Sequence, residues 1–149
     1  MKLIWNLLMS GPGGATLRAD VGLAVLRVVA GCSMAYAHGL GKVQNPAGII
    51  GATESLGFPA PVFFGWAAAL AEFIGGILLA LGLMTRLAAF MILNTMCVAA
   101  FIAHRNDPFQ KKELAILYAA IAVLFIFVGS GRLGLDPFIR TRLNRPSVD

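Results

Sequence analysis

Charge is scarce in this chain. Asp, Glu, Lys and Arg together make up 13% of its 149 residues, against about 25% in an average soluble domain. A domain of this size leaves roughly a third of its chain surface facing solvent, and so few charges cannot cover it. Cysteine is scarcer: Cys32 and Cys97 stand far apart and form no CxxC. That removes a disulfide-stapled secreted module and leaves a thioredoxin-like role unsupported. No GxSxG, HExxH, phosphate-binding loop or dinucleotide fingerprint occurs. Gly11-Pro12-Gly13-Gly14 follows no strand-like run, so it breaks a helix rather than cradling a phosphate. An ordinary soluble enzyme and a disordered chain are both excluded, and the length leaves no room for an appended soluble catalytic domain.

Apolar sequence is what the chain has: 58% of residues are hydrophobic and the mean hydropathy is +0.81. It is gathered into four runs, Val21–Gly41, Pro61–Leu83, Leu87–Ala103 and Leu114–Gly131. A membrane-spanning helix needs about 17–25 residues, and the third run sits at the short limit. None of the runs alternates as a membrane β-strand would. The expected fold is therefore an all-α integral membrane protein, a four-transmembrane-helix bundle with a short N-terminal interfacial helix. Residues 1–20 form the N-terminal interfacial segment, with Trp5 beside Lys2 as an anchor. Residues 21–136 form the four-helix membrane domain, and 137–149 a polar tail. Between the first two spans, Ile49, Ile50 and Leu56 predict a short helix lying on the membrane, stopped by Gly57 and Pro59.

The net charge is +5, but the cations fall between apolar runs rather than on one nucleic-acid-binding face. Nucleic acid is not an expected partner; the lipid bilayer is. Four spans place Lys2, Arg18, Arg86, Arg132, Arg140, Arg142 and Arg145 on the side of the termini, and Lys42, Arg105, Lys111 and Lys112 on the other. The positive-inside rule then puts both termini in the cytoplasm and the chain in the inner (plasma) membrane.

Two charges lie inside the runs. Arg27 and Glu72 each cost at least about 2.5–3.5 kcal/mol at the bilayer centre, and their expected depths differ by about one helical turn. The expectation is a buried Arg27–Glu72 ion pair, serving either helix register or proton handling. Gly31, Ala35 and Gly39 on the first helix, and Gly65, Ala68, Ala69 and Gly76 on the second, predict close backbone approach. Asp20, Arg27, Gly31, Met34 and His38 share one face of the first helix, which suits either a proton path or an ordinary bundle-facing stripe. His38, Lys42, His104 and Glu113 are expected at one depth at the outer edge. They form either a pocket for a quinone head group or plain interfacial anchors; the spacing does not suit a metal site, and neither metal nor haem is expected. Asn94, both cysteines and the aromatics read as packing.

These residues resemble the DoxX family of small four-helix membrane proteins. The resemblance runs from about Leu26 to Asp136. It rests on Leu26-Arg27, His38-Gly39-Leu40 with Lys42, Leu56-Gly57-Phe58-Pro59-Ala60-Pro61, and Ala71-Glu72-Phe73-Ile74-Gly75-Gly76. Leu81-Gly82-Leu83-Met84-Thr85-Arg86, His104, Glu113 and Gly131-Arg132-Leu133-Gly134-Leu135-Asp136 complete it. One branch of the family, DoxD, looks like the membrane subunit of a thiosulfate:quinone oxidoreductase, and other members appear beside soluble redox proteins. The resemblance implies a membrane subunit tied to redox chemistry, quinone-linked and working with a soluble or membrane redox partner. It supplies no agreed catalytic residues, so whether the chain is itself an enzyme stays open. A non-catalytic scaffold for soluble oxidoreductases is the alternative. A small transporter is a third reading, although four spans are few for one without a homo-oligomer, and no inverted repeat is visible.

Overall fold

Each apolar run forms a helix, and Pro and Gly set most of the ends. The structure, a computed structural model, describes residues 17–143; the expected interfacial helix around Trp5 and the last residues of the tail lie outside the described residues. Helix α1 is Leu17–Gln44. Helix α2 is Ala47–Ser55, α3 is Pro61–Leu81 and α5 is Phe109–Val128. Helix α4 is Thr85–Ala103, and α6 is Leu135–Leu143. Pro61 opens α3 at a position where a missing N–H is harmless, and Gly82 ends it at φ +67°.

Helix α1 packs on α3, α3 on α4 and α4 on α5, while α2 lies against α3. Met34, Leu79, Ile92, Met96, Ala122 and Phe125 form the core where the four long helices meet. The α1–α3 contact is tight because both surfaces are glycine. A Cβ on Gly39 would stand 2.5 Å from the Phe73 backbone, and one on Gly31 would stand 2.5 Å from the Gly76 carbonyl. Gly31, Ala35 and Gly39 of α1 with Gly76 of α3 thus do bring the two backbones together, whereas Gly65 meets Ile50 of α2 and Ala68 lines a groove beside α2 and α4.

Helices α1, α3 and α4 are long and apolar enough to cross a membrane. Helix α5 starts earlier than its apolar run, at Phe109 after Pro108, and so carries Lys111, Lys112 and Glu113 in its first turns. Its uncharged part, Leu114 to Val128, falls short of the usual 17–25 residues. The first helix likewise includes Leu17 to Asp20, ahead of Val21, and residues 137–143 of the expected polar tail belong to α6.

Two stretches wind as π-helix, Met34–Gly39 in α1 and Ala99–Ala103 in α4. Such wider turns are rare and often mark functional positions. Both lie toward the same end of the bundle. That end, with Gln44, Pro61 and the Ala103–Phe109 turn, is called here the cavity end. The opposite end holds Leu17, the Gly82–Met84 turn and α6, and is called the arginine end.

Candidate functional site

The arginine end shows what Arg27 does. Its guanidinium donates to the carbonyls of Ala80 at 2.8 Å, Leu79 at 3.2 Å and Leu133 at 3.3 Å. The last carbonyls of a helix lack intrahelical partners and carry the negative end of its dipole, so Arg27 closes the C-terminus of α3. Asp136 does the reciprocal job for α4. It accepts from the backbone N–H of Met84 at 2.7 Å and of Thr85 at 3.1 Å, and its own N–H donates to the Gly82 carbonyl at 2.9 Å. Burial pushes the Asp136 carboxyl above its ordinary range, against the pull of these donors and of Arg27. Met84 sits at φ +47°, a left-handed conformation that costs an L-residue roughly 1–2 kcal/mol; the Asp136 bond to its N–H helps to hold it. Asp20 is also buried and accepts from the Arg132 N–H at 3.3 Å. This end is a fastening of helix termini.

The expected Arg27–Glu72 pair is therefore corrected. Arg27 reaches carbonyls seven and eight residues beyond Glu72 along α3, a separation of about 10–12 Å at 1.5 Å per residue. The partner of Glu72 is Lys42, whose Nζ donates to Oε1 at 2.6 Å and Oε2 at 2.5 Å. Glu72 is 1% exposed. The Lys42 side chain keeps 33% exposure, so the cation reaches down from the rim to a buried carboxylate. Lys42 follows His38 by four residues, about one turn, and so stays on the face of α1 that meets α3.

Lys42 and Glu72 form one wall of a cavity of about 180 Å³. His38 from the α1 π-segment, His104 just past the α4 π-segment, and Lys111 and Tyr118 from α5 supply the other polar groups; Met96 and Leu114 are among the apolar ones. The His38 and Tyr118 rings meet edge-on with centroids 5.5 Å apart. His104 Nδ1 lies 2.8 Å from Asp107 Oδ2, and Lys111 Nζ lies 3.4 Å from Asp107 Oδ1. The hydrogen bond from His104, with help from Lys111, holds the Asp107 carboxyl below its ordinary range.

Of the sequence-predicted residues, His38, Lys42, His104 and Glu72 meet here. Arg27 lies at the other end. Glu113 is exposed and does not line the cavity: it projects from a different face of α5 than Lys111 and Tyr118. Lys111 and Tyr118 were missed, although Lys111, Leu114, Ala115 and Tyr118 at i, i+3, i+4 and i+7 mark a single helix face. Among the described residues, no three His, Cys, Asp or Glu side chains converge as a metal site would need. A larger groove of about 420 Å³ between α2, α3 and α4 is lined by residues such as Phe58, Phe64, Phe90 and Asn94, with no titratable side chain. Of these two spaces among the described residues, the smaller one carries groups that can donate, accept and exchange protons.

Comparison with known proteins gives this architecture relatives. The chain is 32% identical over 121 residues to a Bacillus subtilis (strain 168) protein named "Putative oxidoreductase CatD", covering 80% of this chain and 88% of that one. It is 35% identical over 122 residues to an uncharacterized Haemophilus influenzae protein, covering 76% and 87%. No solved structure matches. The DoxX family profile matches residues 22–105, a stretch that holds Arg27, His38, Lys42, Glu72 and His104. The chain belongs to the DoxX family of membrane proteins.

Proposed function

We propose that this chain is a four-span inner-membrane subunit associated with redox chemistry, which holds the head group of a quinone in the cavity and acts with a redox partner protein. The cavity carries the reading. At about 180 Å³ it is smaller than the roughly 300–1,000 Å³ pockets that enclose whole drug-sized ligands. It suits a single ring whose apolar tail stays outside. The donor set fits: His38, His104 and Tyr118 can hydrogen-bond ring oxygens, and histidine exchanges protons readily near neutral pH. Lys42 holds exchangeable protons on the adjacent wall, and the Glu72 carboxylate beside it can accept one. A bound quinone supplies two-electron, two-proton chemistry, and the electrons come from the partner. The relative named as an oxidoreductase supports the redox association.

In this reading α5 is the fourth span. Lys111 and Lys112 lie at its end, where long side chains can extend their charge to the interface. Four spans put both termini on the arginine end, and the positive-inside rule places that end in the cytoplasm. A scaffold without chemistry of its own is the second reading. It is favoured by one observation, that Lys42 and Glu72 already satisfy each other.

Quantifying quinone extracted from protein purified in mild detergent tests the proposal. Near-stoichiometric quinone is expected, against background in an unrelated membrane protein, with a loss on His38→Ala or His104→Ala. Background quinone in the unaltered protein would move the function to the scaffold reading.

A further inference from the structure

Helix α6 is held firmly but covered by little. Asp136 fastens its first turn to the α3–α4 connection, Gly134 packs against Ser130 and the Gly82 carbonyl, and Arg27 binds the Leu133 carbonyl just before it. Yet Leu135, Phe138 and Leu143 remain 39%, 56% and 61% exposed. At 100° per residue these three and Ile139 fall on one arc, with Arg142 inside it and Arg140 beyond its edge. The Arg142 guanidinium lies 5.1 Å from the Phe138 ring centroid. A short helix with an apolar arc, arginines beside it and a fixed orientation has the make-up of one that lies in a membrane interface.

The exposed charges around it have one sign, although the Arg132 Nε lies 3.8 Å from the buried Asp20 carboxylate. Arg18, Arg132, Arg140 and Arg142 are exposed at this end. The two carboxylates there, Asp20 and Asp136, are 1% and 0% exposed. Glu54, Glu72, Asp107 and Glu113, the other acidic side chains among the described residues, all belong to the cavity end. The arginine end thus presents a cationic rim, with no described carboxylate exposed on it, around a rigidly placed apolar arc.

We propose that α6 and the arginines around it form a docking surface for anionic phospholipids, with Leu135, Phe138 and Leu143 entering the acyl boundary and Arg132, Arg140 and Arg142 binding headgroup phosphates. The charge complementarity selects this occupant over a neutral lipid. The position of this exposed arc at the level of the helix termini, where a membrane-spanning bundle meets the headgroups, selects it over a soluble acidic protein. The inference rests on the chain's membership of a membrane family and stands whether or not the cavity holds a quinone.

The test uses the full chain in nanodiscs. Phe138→Trp places a reporter at an exposed position, and spectra are taken as a difference against the unaltered chain. In phosphatidylglycerol discs the reporter emission should be blue-shifted and quenched by bromines near the headgroup end of the acyl chains. In native mass spectrometry the protein should retain phosphatidylglycerol over phosphatidylcholine. Arg140→Gln with Arg142→Gln should cut that preference about tenfold or more, since each cation near an anionic surface is worth about fivefold. Water-exposed emission would overturn the proposal. So would blue-shifted emission that the bromines leave unquenched, which would mean that protein covers the arc. Equal burial in both lipids with unchanged retention in the arginine variant would also overturn it, because headgroup charge would then play no part.

Discussion

Removing either partner of the Lys42–Glu72 pair should cost stability, but not equally. Breaking a fully buried pair from one side costs about 3–5 kcal/mol, because the remaining charge is stranded. Here the two sides differ: Glu72 is 1% exposed, while the Lys42 side chain keeps 33%. Glu72→Gln frees an ammonium that can swing to water and keeps an amide that still hydrogen-bonds, so the loss should be about 1–2 kcal/mol. Lys42→Met strands a carboxylate with no such escape. The loss should therefore be about 3–5 kcal/mol, the range for a buried charge left without its partner. Lys42→Met with Glu72→Leu should recover most of it, since an apolar replacement of a buried pair is often neutral or better. Equilibrium unfolding in mixed detergent and SDS micelles, followed by far-ultraviolet circular dichroism, measures all four proteins. A larger loss for Glu72→Gln than for Lys42→Met, or a double variant as unstable as the worse single one, would refute the geometry.

Three other outcomes follow from the packing and the polar ends. Asp136→Ala orphans the Met84 and Thr85 N–H groups and should cost about 2–4 kcal/mol, at about 1–2 kcal/mol for each unsatisfied buried donor; Asp136→Asn should cost roughly half, and the same unfolding assay reads both. Gly39→Ala drives a methyl into the Phe73 backbone and should cost at least about 1–3 kcal/mol, whereas Gly41→Ala, with nothing within 4 Å, should gain about 0.5–1 kcal/mol from helix propensity; equal effects at the two sites would contradict the α1–α3 register. The lowered Asp107 carboxyl implies that its bond to His104 contributes above the unfolded carboxylate value and is lost as the pH falls through the lower folded one. Hydrogen exchange of the 104–108 turn should therefore stay slow down to about pH 4 and quicken below, and Asp107→Asn should abolish that step.

The positions of α1, α3 and α4, the three helices long and apolar enough to span, were legible because apolar runs of the right length leave few alternatives. So were the close-packed glycines, since only small residues at that spacing allow helices to touch. His38, Lys42, His104 and Glu72 were legible as polar groups in an apolar setting, but their partners were not. Depth was estimated from the ends of the apolar runs, and those ends misled. Leu17 to Asp20 extend the first helix beyond its apolar run because Asp20 is buried against Arg132. Lys42 lies about one turn past His38 on the α1 face that meets α3, but the expected depths paired Glu72 with Arg27 instead. Arg27 looked like an ion-pair partner because a buried cation suggests a carboxylate. Backbone carbonyls at the end of α3 serve it instead, and they leave no mark in a residue pattern. Asp136 was visible only as part of the Gly131–Asp136 motif, with nothing in the sequence to say that it caps a helix far upstream.

The central claim is that the cavity between His38, Glu72 and His104 holds a quinone head group, and filling that space tests it most directly. Ala99→Leu adds bulk to the lining without touching a polar group. Protein purified in mild detergent and extracted with organic solvent should yield near-stoichiometric quinone by mass spectrometry, and the Ala99→Leu protein, unfolding normally, should yield only background. Quinone at background in the unaltered protein, or at full stoichiometry in a correctly folded Ala99→Leu protein, would contradict the claim.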